Sequence, residues 1–170
     1  MLNLRTPSVD DLEAIKRIYF EAFPPEEQRP WHLLLQSDGK PEFKAIYDGE
    51  TLAGMVTYWN FGTFVYIEHL AIDPSLRGSG LGAQTLAFLR QELALPLLLE
   101  VEPPCPENSM AARRIGFYRR NGFEILPYDY IQPPYSPGLP SVPLLLMSTA
   151  ALNPHLSAQT LHRQVYNHYK

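Results

Sequence analysis

A run of closely spaced glycines in the middle of the chain constrains the fold more than any other feature. Residues 76–89 read LRGSGLGAQTLAFL, in which Gly78, Gly80 and Gly82 precede an apolar pattern with helical spacing. A strand-like segment ends just before them at Asp73, so the glycines form the turn from a strand into a helix. Main-chain amides at a helix N-terminus favour an anion, and glycine lets a phosphate approach them closely. The sequence therefore predicts a phosphate-binding turn.

The glycine turn has other interpretations from its residues alone. One is an ordinary strand-to-helix turn in which glycine only supplies a positive φ. Another is a dinucleotide fingerprint, because residues 78–83 satisfy G-x-G-x-x-A and Glu102 follows where a ribose-binding acid is expected. Residues 73–77 separate the glycines from the strand, however, and only one βα unit follows, which counts against this interpretation. A P-loop is excluded because no Lys-Ser or Lys-Thr pair follows the glycines.

Composition excludes several classes of protein. The 170 residues carry a net charge of −4, whereas a nucleic-acid-binding protein needs a basic face. The single cysteine, Cys105, allows no internal disulfide and is interpreted as a free thiol in a loop. The N-terminus has no signal-peptide core, and the longest apolar run, LALPLLLEV, is broken by Pro96. We therefore expect a cytoplasmic, single-domain protein with no nucleic-acid and no membrane partner.

Hydrophobic periodicity predicts an α/β chain in the order β, α, α, β, β, β, α, β, α, β, β. Strands are predicted over residues 2–6, 43–50, 51–60, 64–73, 97–102, 123–132 and 142–149. Helices are predicted after an N-cap at Ser8, over residues 31–37, after the glycine turn, over residues 108–121 and from Pro154 to the C-terminus. This order predicts a mixed sheet with helices packed on it.

Two segments together resemble the signatures of one family. Residues 77–82 match R-x-x-G-x-G, and residues 115–123 read IGFYRRNGF, in which a helix bearing Tyr118 runs into Asn-Gly-Phe. In this order they resemble the two motifs of the GNAT superfamily of acetyl-CoA-dependent N-acetyltransferases, and the resemblance covers nearly the whole chain. It implies one domain over residues 1–170, with a central mixed, largely antiparallel sheet of about seven strands flanked by helices. It also implies acetyl-CoA as donor, an amine as acceptor and no metal.

The resemblance implies a set of site residues. The strand end at Leu70, Ala71 and Ile72 would offer main-chain groups to the pantetheine arm of acetyl-CoA. The pyrophosphate would be held by Arg77, Gly78, Ser79, Gly80, Leu81, Gly82 and Ala83. The strand of residues 98–102 would diverge from the strand ending near Asp73 and leave a gap for the thioester. Tyr118 would protonate the departing thiolate, since a phenol donates a hydrogen bond while neutral.

One position departs from the family pattern. Many members carry an asparagine two turns before the tyrosine, where this chain has Ala111. The nearest asparagine, Asn108, lies about a turn earlier and is interpreted as a helix N-cap. A contact of Asn108 with the cofactor is therefore not predicted.

Transfer to an amine also needs a base, because an alkylammonium is protonated at pH 7. The candidates are Glu68, His69, Glu100 and Glu102. Glu68 is favoured because it lies two residues before Leu70 and shares its strand face. The alternative for Glu68 is an ion pair with an arginine, such as Arg5, Arg113 or Arg114.

The acceptor is specified only as a small-molecule or peptide amine. Residues 23–31 and 128–140 would frame it, and Glu26, Glu27 and Asp129 with several tyrosines would suit a cation. An alternative interpretation of both segments is that they are solvated loop faces. The second segment, which is rich in proline, is also a candidate contact in a homodimer. The rival to an enzyme is a non-catalytic acyl-CoA-binding or regulatory module with the same fold.

Overall fold

The computed structural model describes residues 1–35 and 40–167. The chain divides into two compact units, Met1–Leu95 and Pro96–Lys170. None of the helices in the described residues combines the length and the apolarity that a membrane crossing requires. The expectation of a single domain over the whole chain stays a prediction.

The first unit contains four antiparallel strands in the order of the chain. They are β1 (Leu2–Arg5), β2 (Glu42–Asp48), β3 (Thr51–Asn60) and β4 (Val65–Ile72). Gly49 and Glu50 form the two-residue connection between β2 and β3, and Asp48 before them pairs with Thr51. In the central strand β3, residues 53–59 are all buried, which fits a strand covered on both faces.

The described part of the first unit contains three α-helices: α1 (Leu12–Ala22), α2 (Trp31–Leu34) and α3 (Leu81–Leu93). Ser8 precedes a 3-10 turn that leads into α1, and its N–H donates to the Asp11 carboxylate at 2.9 Å. The inner face of α1 places Ile15, Ile18 and Tyr19 in the core against β3 and β4. The helix expected over 31–37 is described only as far as Leu34, and its positions 36 and 37 lie outside the described residues.

The second unit is built around one long strand. Its strands are β5 (Leu97–Val101), β6 (Glu124–Ile125), β7 (Tyr130–Gln132) and β8 (Val142–Ser148). β8 pairs antiparallel with each of the other three. Its helices are α4 (Ser109–Arg120) and α5 (Pro154–Thr160), and α5 continues as a π-helical segment, Leu161–Tyr166.

The strand predicted over residues 123–132 is divided in the structure. β6 ends at Ile125 and β7 starts at Tyr130, with Pro127 between them. Proline has no N–H to give to a strand ladder and fixes its own φ, so it ends the pairing locally. The described chain therefore has eight strands where the sequence predicts seven. The predicted class, a mixed α/β fold with mostly antiparallel strands and flanking helices, is confirmed.

Gly54 in β3 lets two strands approach more closely than a side chain would allow. A Cβ built on Gly54 would lie 2.2 Å from the carbonyl oxygen of Ala71 in β4. Opposite this point the register of β2 shifts between Ile46 and Tyr47, which marks a bulge. The end of β4 can therefore lie this close to β3 only because position 54 is a glycine.

Candidate active site

The glycine turn presents its main chain to open space at the start of α3. Gly80 is the residue before the helix and has a φ of 83°, and Gly78 has a φ of 86°. A Cβ on Gly78 would meet no atom within 4 Å, and one on Gly80 would meet only the Gln84 side chain at 3.8 Å. The first amides of a helix have no partner within the helix, so they are available to an anion.

Short-range hydrogen bonds hold the turn in shape. The Asp73 carboxylate accepts from the Ser75 N–H at 3.0 Å and from its hydroxyl at 2.9 Å. The backbone bond from Ser75 is the main cause that lowers the pKa of Asp73. The Ser79 hydroxyl donates to the Leu76 carbonyl at 2.5 Å, while the exposed Arg77 reaches the Ile72 carbonyl at 3.4 Å. A shaped turn with free amides and a cation fits a diphosphate.

The end of β4 lies directly before this turn. Leu70, Ala71 and Ile72 pair with Val56, Met55 and Gly54 of β3. Ala71 is 5% exposed, and Leu70 and Ile72 are half-buried. The residues predicted to contact the pantetheine arm and those predicted to hold the pyrophosphate both belong to the first unit, and only the short turn of residues 73–76 separates them.

Tyr118 lies in the last turn of α4, where a Schellman motif ends the helix. Gly122 has a φ of 90° and its N–H donates to the Arg119 carbonyl at 3.1 Å. The N–H of Phe123 donates to the Tyr118 carbonyl at 3.0 Å. This turn folds Phe123 back onto Tyr118, with ring centroids 5.5 Å apart. The Asn-Gly-Phe sequence thus has a structural reason, because its glycine supplies the left-handed residue.

The environment of Tyr118 keeps its phenol protonated. Burial raises the pKa of Tyr118, and the nearby Arg114 lowers it by a smaller amount. The ring also contacts Phe117, with centroids 5.3 Å apart. Within residues 1–35 and 40–167, the Tyr118 hydroxyl has no hydrogen-bond partner, so its proton is available for donation.

Asn108 is the N-cap of α4. Its side-chain oxygen accepts from the Ala111 N–H at 3.2 Å, and its amide donates to Glu102 at 2.6 Å. The other Glu102 oxygen lies 3.5 Å from the Arg114 guanidinium. Glu102, one of the four candidate bases, therefore faces the start of α4 and holds it.

Glu68 forms a buried ion pair with a residue that the sequence did not single out. Its Oε2 accepts from Arg29 Nε at 2.5 Å and its Oε1 accepts from Trp59 Nε1 at 2.7 Å. The side chains of Arg29 and Glu68 are 3% and 0% exposed. The sequence predicts an arginine, such as Arg5, Arg113 or Arg114, as the alternative to a base role, and in the structure the arginine is Arg29. The base role of Glu68 stays a prediction.

His69 is a buried, neutral histidine. Its Nε2 lies 3.0 Å from the Glu27 carbonyl oxygen, which can only accept, so Nε2 carries the proton. Its Nδ1 then accepts from the Thr57 hydroxyl at 3.1 Å. Burial lowers the pKa of His69, an effect that Glu68 partly opposes. Both ring nitrogens are occupied in holding the fold.

Glu100 of β5 is surrounded by phenols in the second unit. Tyr166 donates to both of its oxygens at 2.7 Å, and Tyr130 donates to Oε2. Both tyrosines are 2% exposed. These hydrogen bonds offset the free-energy cost of placing a carboxylate on a strand of the sheet.

Comparisons with known proteins identify the family and the fold. Residues 12–123 match the model of the Acetyltransferase (GNAT) family. A solved structure from Bacteroides thetaiotaomicron, named as a GNAT-family acetyltransferase, is 38% identical, with 98% of each chain covered and a TM-score of 0.85. A Bacillus subtilis acetyltransferase solved in complex with CoA is 16% identical over 89% of this chain and 98% of that chain, with a TM-score of 0.59, and shows the fold alone.

A shorter match links the chain to YjbC of Bacillus subtilis (strain 168), which is named as an acetyltransferase. The two are 31% identical over 70 residues, which make up 41% of this chain and 36% of that protein. The chain therefore matches about a third of the length of this relative.

A glycine turn at a helix N-terminus is a geometry that can bind the phosphates of a nucleotide-bearing acyl donor. The chain belongs to the Acetyltransferase (GNAT) family, whose match begins at the first residue of α1 and ends at Phe123 after α4. The predicted family is confirmed. Members use acetyl-CoA as the acetyl donor, so family membership supports acetyl transfer as the activity and acyltransferase as the class of enzyme.

Proposed function

We propose that this protein transfers an acetyl group from acetyl-CoA to a primary amine by direct attack on the thioester. The observation that carries the proposal is the glycine main chain at the start of α3, where a Cβ on Gly78 would meet no atom within 4 Å and one on Gly80 would meet only the end of the Gln84 side chain. Bound acetyl-CoA supplies an activated acetyl thioester. Residues 77–83 would hold its pyrophosphate, and the main chain of Leu70, Ala71 and Ile72 would bind its pantetheine arm.

Tyr118 is proposed as the acid of the reaction. The amine nitrogen attacks the thioester carbon, so that the C–N bond forms while the C–S bond breaks. The departing thiolate takes a proton from the Tyr118 phenol, and the proton that the nitrogen loses as it becomes an amide passes through water to the tyrosinate, which restores the phenol. A phenol whose pKa is raised by burial is fully protonated at pH 7, which supports this role.

Glu68 is proposed as the base that takes the proton of the ammonium group. Its ion pair with Arg29 and its bond from Trp59 favour the ionised carboxylate, which is the form a base needs. Because both oxygens already accept hydrogen bonds, the proton would reach Glu68 through a bridging water. Glu100 serves as the control for Glu68. It is another of the four candidate bases, and its hydrogen-bond partners are neutral phenols.

The proposal is tested by release of free thiol from acetyl-CoA in the presence of different amines. The panel contains a polyamine, an aminoglycoside, and peptides with free N-terminal or lysine amines. Acceptor-dependent thiol release together with a mass gain of one acetyl group on the amine supports the proposal. Tight binding of acetyl-CoA without acceleration for any amine supports the non-catalytic acyl-CoA-binding module instead.

A further inference from the structure

The segment of residues 23–31, between α1 and α2, contains a buried charge where a solvated loop was the expectation. Arg29 is 3% exposed although it lies in a polar stretch with prolines at 24, 25 and 30. Arginine is almost never fully buried unless it is paired. The partner is Glu68 of β4, 39 residues away in the chain, so this contact ties the segment to the sheet.

The main chain of the same residue is also anchored. The N–H of Arg29 donates to the Tyr19 hydroxyl at 2.7 Å, and Tyr19 is itself fully buried in α1. The guanidinium contacts Glu68, whose second oxygen is held by Trp59 of β3. Arg29 therefore links α1 to β4 through its backbone and its side chain, and Glu68 in turn links it to β3.

Neighbouring residues supply further anchors. The Glu27 carbonyl accepts from His69 at 3.0 Å, and the Gln28 amide donates to the Phe23 carbonyl at 2.6 Å. The Phe23 ring packs edge-on against His69, with centroids 4.8 Å apart. These hydrogen bonds and the three prolines restrict the backbone conformation of residues 23–31, so the segment is already ordered in the folded protein.

We propose that Arg29 is a positioning residue that fixes residues 23–31 as a preformed wall of the acceptor site. The proposal rests on the proposed function, in which this segment frames the amine. A wall ordered in advance removes the ordering cost from the binding of the amine. Arg29 then acts on the Michaelis constant of the amine and leaves the binding of acetyl-CoA unchanged.

The test compares Arg29→Lys with Arg17→Lys, a matched control at an exposed arginine of α1. Lysine keeps the charge but lacks the planar fork that gives Arg29 its geometry. We expect amide hydrogen exchange in residues 23–31 to accelerate about tenfold in Arg29→Lys, with β2 and β3 unchanged. The KM for the amine should rise about fivefold or more, with the KM for acetyl-CoA within about twofold of wild type.

Two further variants keep the outcome decisive. Arg29→Gln removes the charge and should raise the KM for the amine further than Arg29→Lys, because the lysine partly rescues the ion pair. Tyr19→Phe keeps the Arg29–Glu68 ion pair but removes the hydroxyl that anchors the Arg29 N–H and also lies 3.4 Å from His69 Nε2, and it carries the same test if the Arg29 variants do not fold.

Wild-type exchange in residues 23–31 of Arg29→Lys overturns the positioning role, and faster exchange with an unchanged amine KM overturns the assignment of this segment to the acceptor. If the wild-type protein acetylates no amine, the proposed function fails. The exchange experiment then still decides whether Arg29 fixes the segment.

Discussion

The ring of Tyr118 is fixed by its neighbours while its hydroxyl has no partner among the described residues. Tyr118→Phe keeps the contacts with Phe117 and Phe123, so stability and the Kd for acetyl-CoA should stay at wild-type values. Removal of a general acid slows the chemical step by about 10²- to 10⁴-fold. Single-turnover thiol release measures this step, with Tyr58→Phe in β3 as the control. Wild-type turnover in Tyr118→Phe would discard the acid role.

Glu68 contributes to stability as well as to the proposed proton transfer. Glu68→Gln removes the carboxylate that pairs with the buried Arg29 guanidinium, which should lower the free energy of unfolding by about 3 kcal/mol. If Glu68 is the base, turnover also falls and the pH dependence of kcat/KM moves, whereas Glu100→Gln leaves that dependence in place. An unchanged pH profile in Glu68→Gln would remove Glu68 from the proton transfer, whatever happens to stability.

At the scale of elements, the start of α3 offers a matched pair of glycines. Gly80 and Gly62 have φ values of 83° and 82°, and neither has backbone atoms within 4 Å of an added Cβ. Alanine at either position is strained by about 1–2 kcal/mol. Only Gly80→Ala also disturbs the amides that would hold the pyrophosphate. Losing one bond to a charged group, worth about 1.5–3 kcal/mol, should weaken acetyl-CoA binding about tenfold or more in calorimetry. Equal affinities in the two variants would contradict the site.

The contact between β3 and β4 makes a second prediction. Gly54→Ala places a Cβ against the backbone oxygen of Ala71, and backbone cannot move as a side-chain end can. Overpacking of this kind costs about 1–3 kcal/mol, and it displaces the strand end before the glycine turn. Gly116→Ala in α4 is the control, because its Cβ meets only the end of the Arg120 side chain at 3.4 Å. It should stabilise the helix by about 0.5–1 kcal/mol. Urea denaturation measures the change in the free energy of unfolding in both variants. A change of the same sign in both would refute the packing argument.

Most elements could be predicted because their signals are local. The hairpin turn at Gly49-Glu50, the N-cap Asn108 and the helix end at Gly122 each depend on residues that are close together in the sequence. Pro127 was visible in the sequence, yet the apolar residues on both sides suggested one strand. The Arg29–Glu68 pair was missed for another reason, because its partners are far apart in the chain and an arginine among prolines has the pattern of a solvated loop.

At the scale of the whole molecule, His69 makes stability depend on pH. Burial lowers its pKa in the folded protein below the ordinary value of 6.5. Glu68 is the nearby acid, Arg29 the nearby cation, and the Glu27 carbonyl and Tyr19 hydroxyl are the neutral groups at Nε2. Below pH 6.5 the unfolded chain binds a proton that the folded protein does not bind. Stability is therefore complete above pH 6.5 and falls as the pH decreases toward the folded-state pKa.

The slope that one such group produces is at most about 1.4 kcal/mol per pH unit. The free energy of unfolding can be measured by urea denaturation from pH 7.5 down to about pH 5, where carboxylates begin to be protonated. It should start to decrease at about pH 6.5. His69→Gln retains a donor for the Glu27 carbonyl but cannot be protonated, so its curve should be flatter in this window. His155→Gln, at an exposed histidine of α5, should keep the wild-type slope. His69 anchors residues 23–31 through the Glu27 carbonyl. If the free energy of unfolding of the wild type did not change with pH in this window, the anchoring of this segment would not depend on a neutral His69.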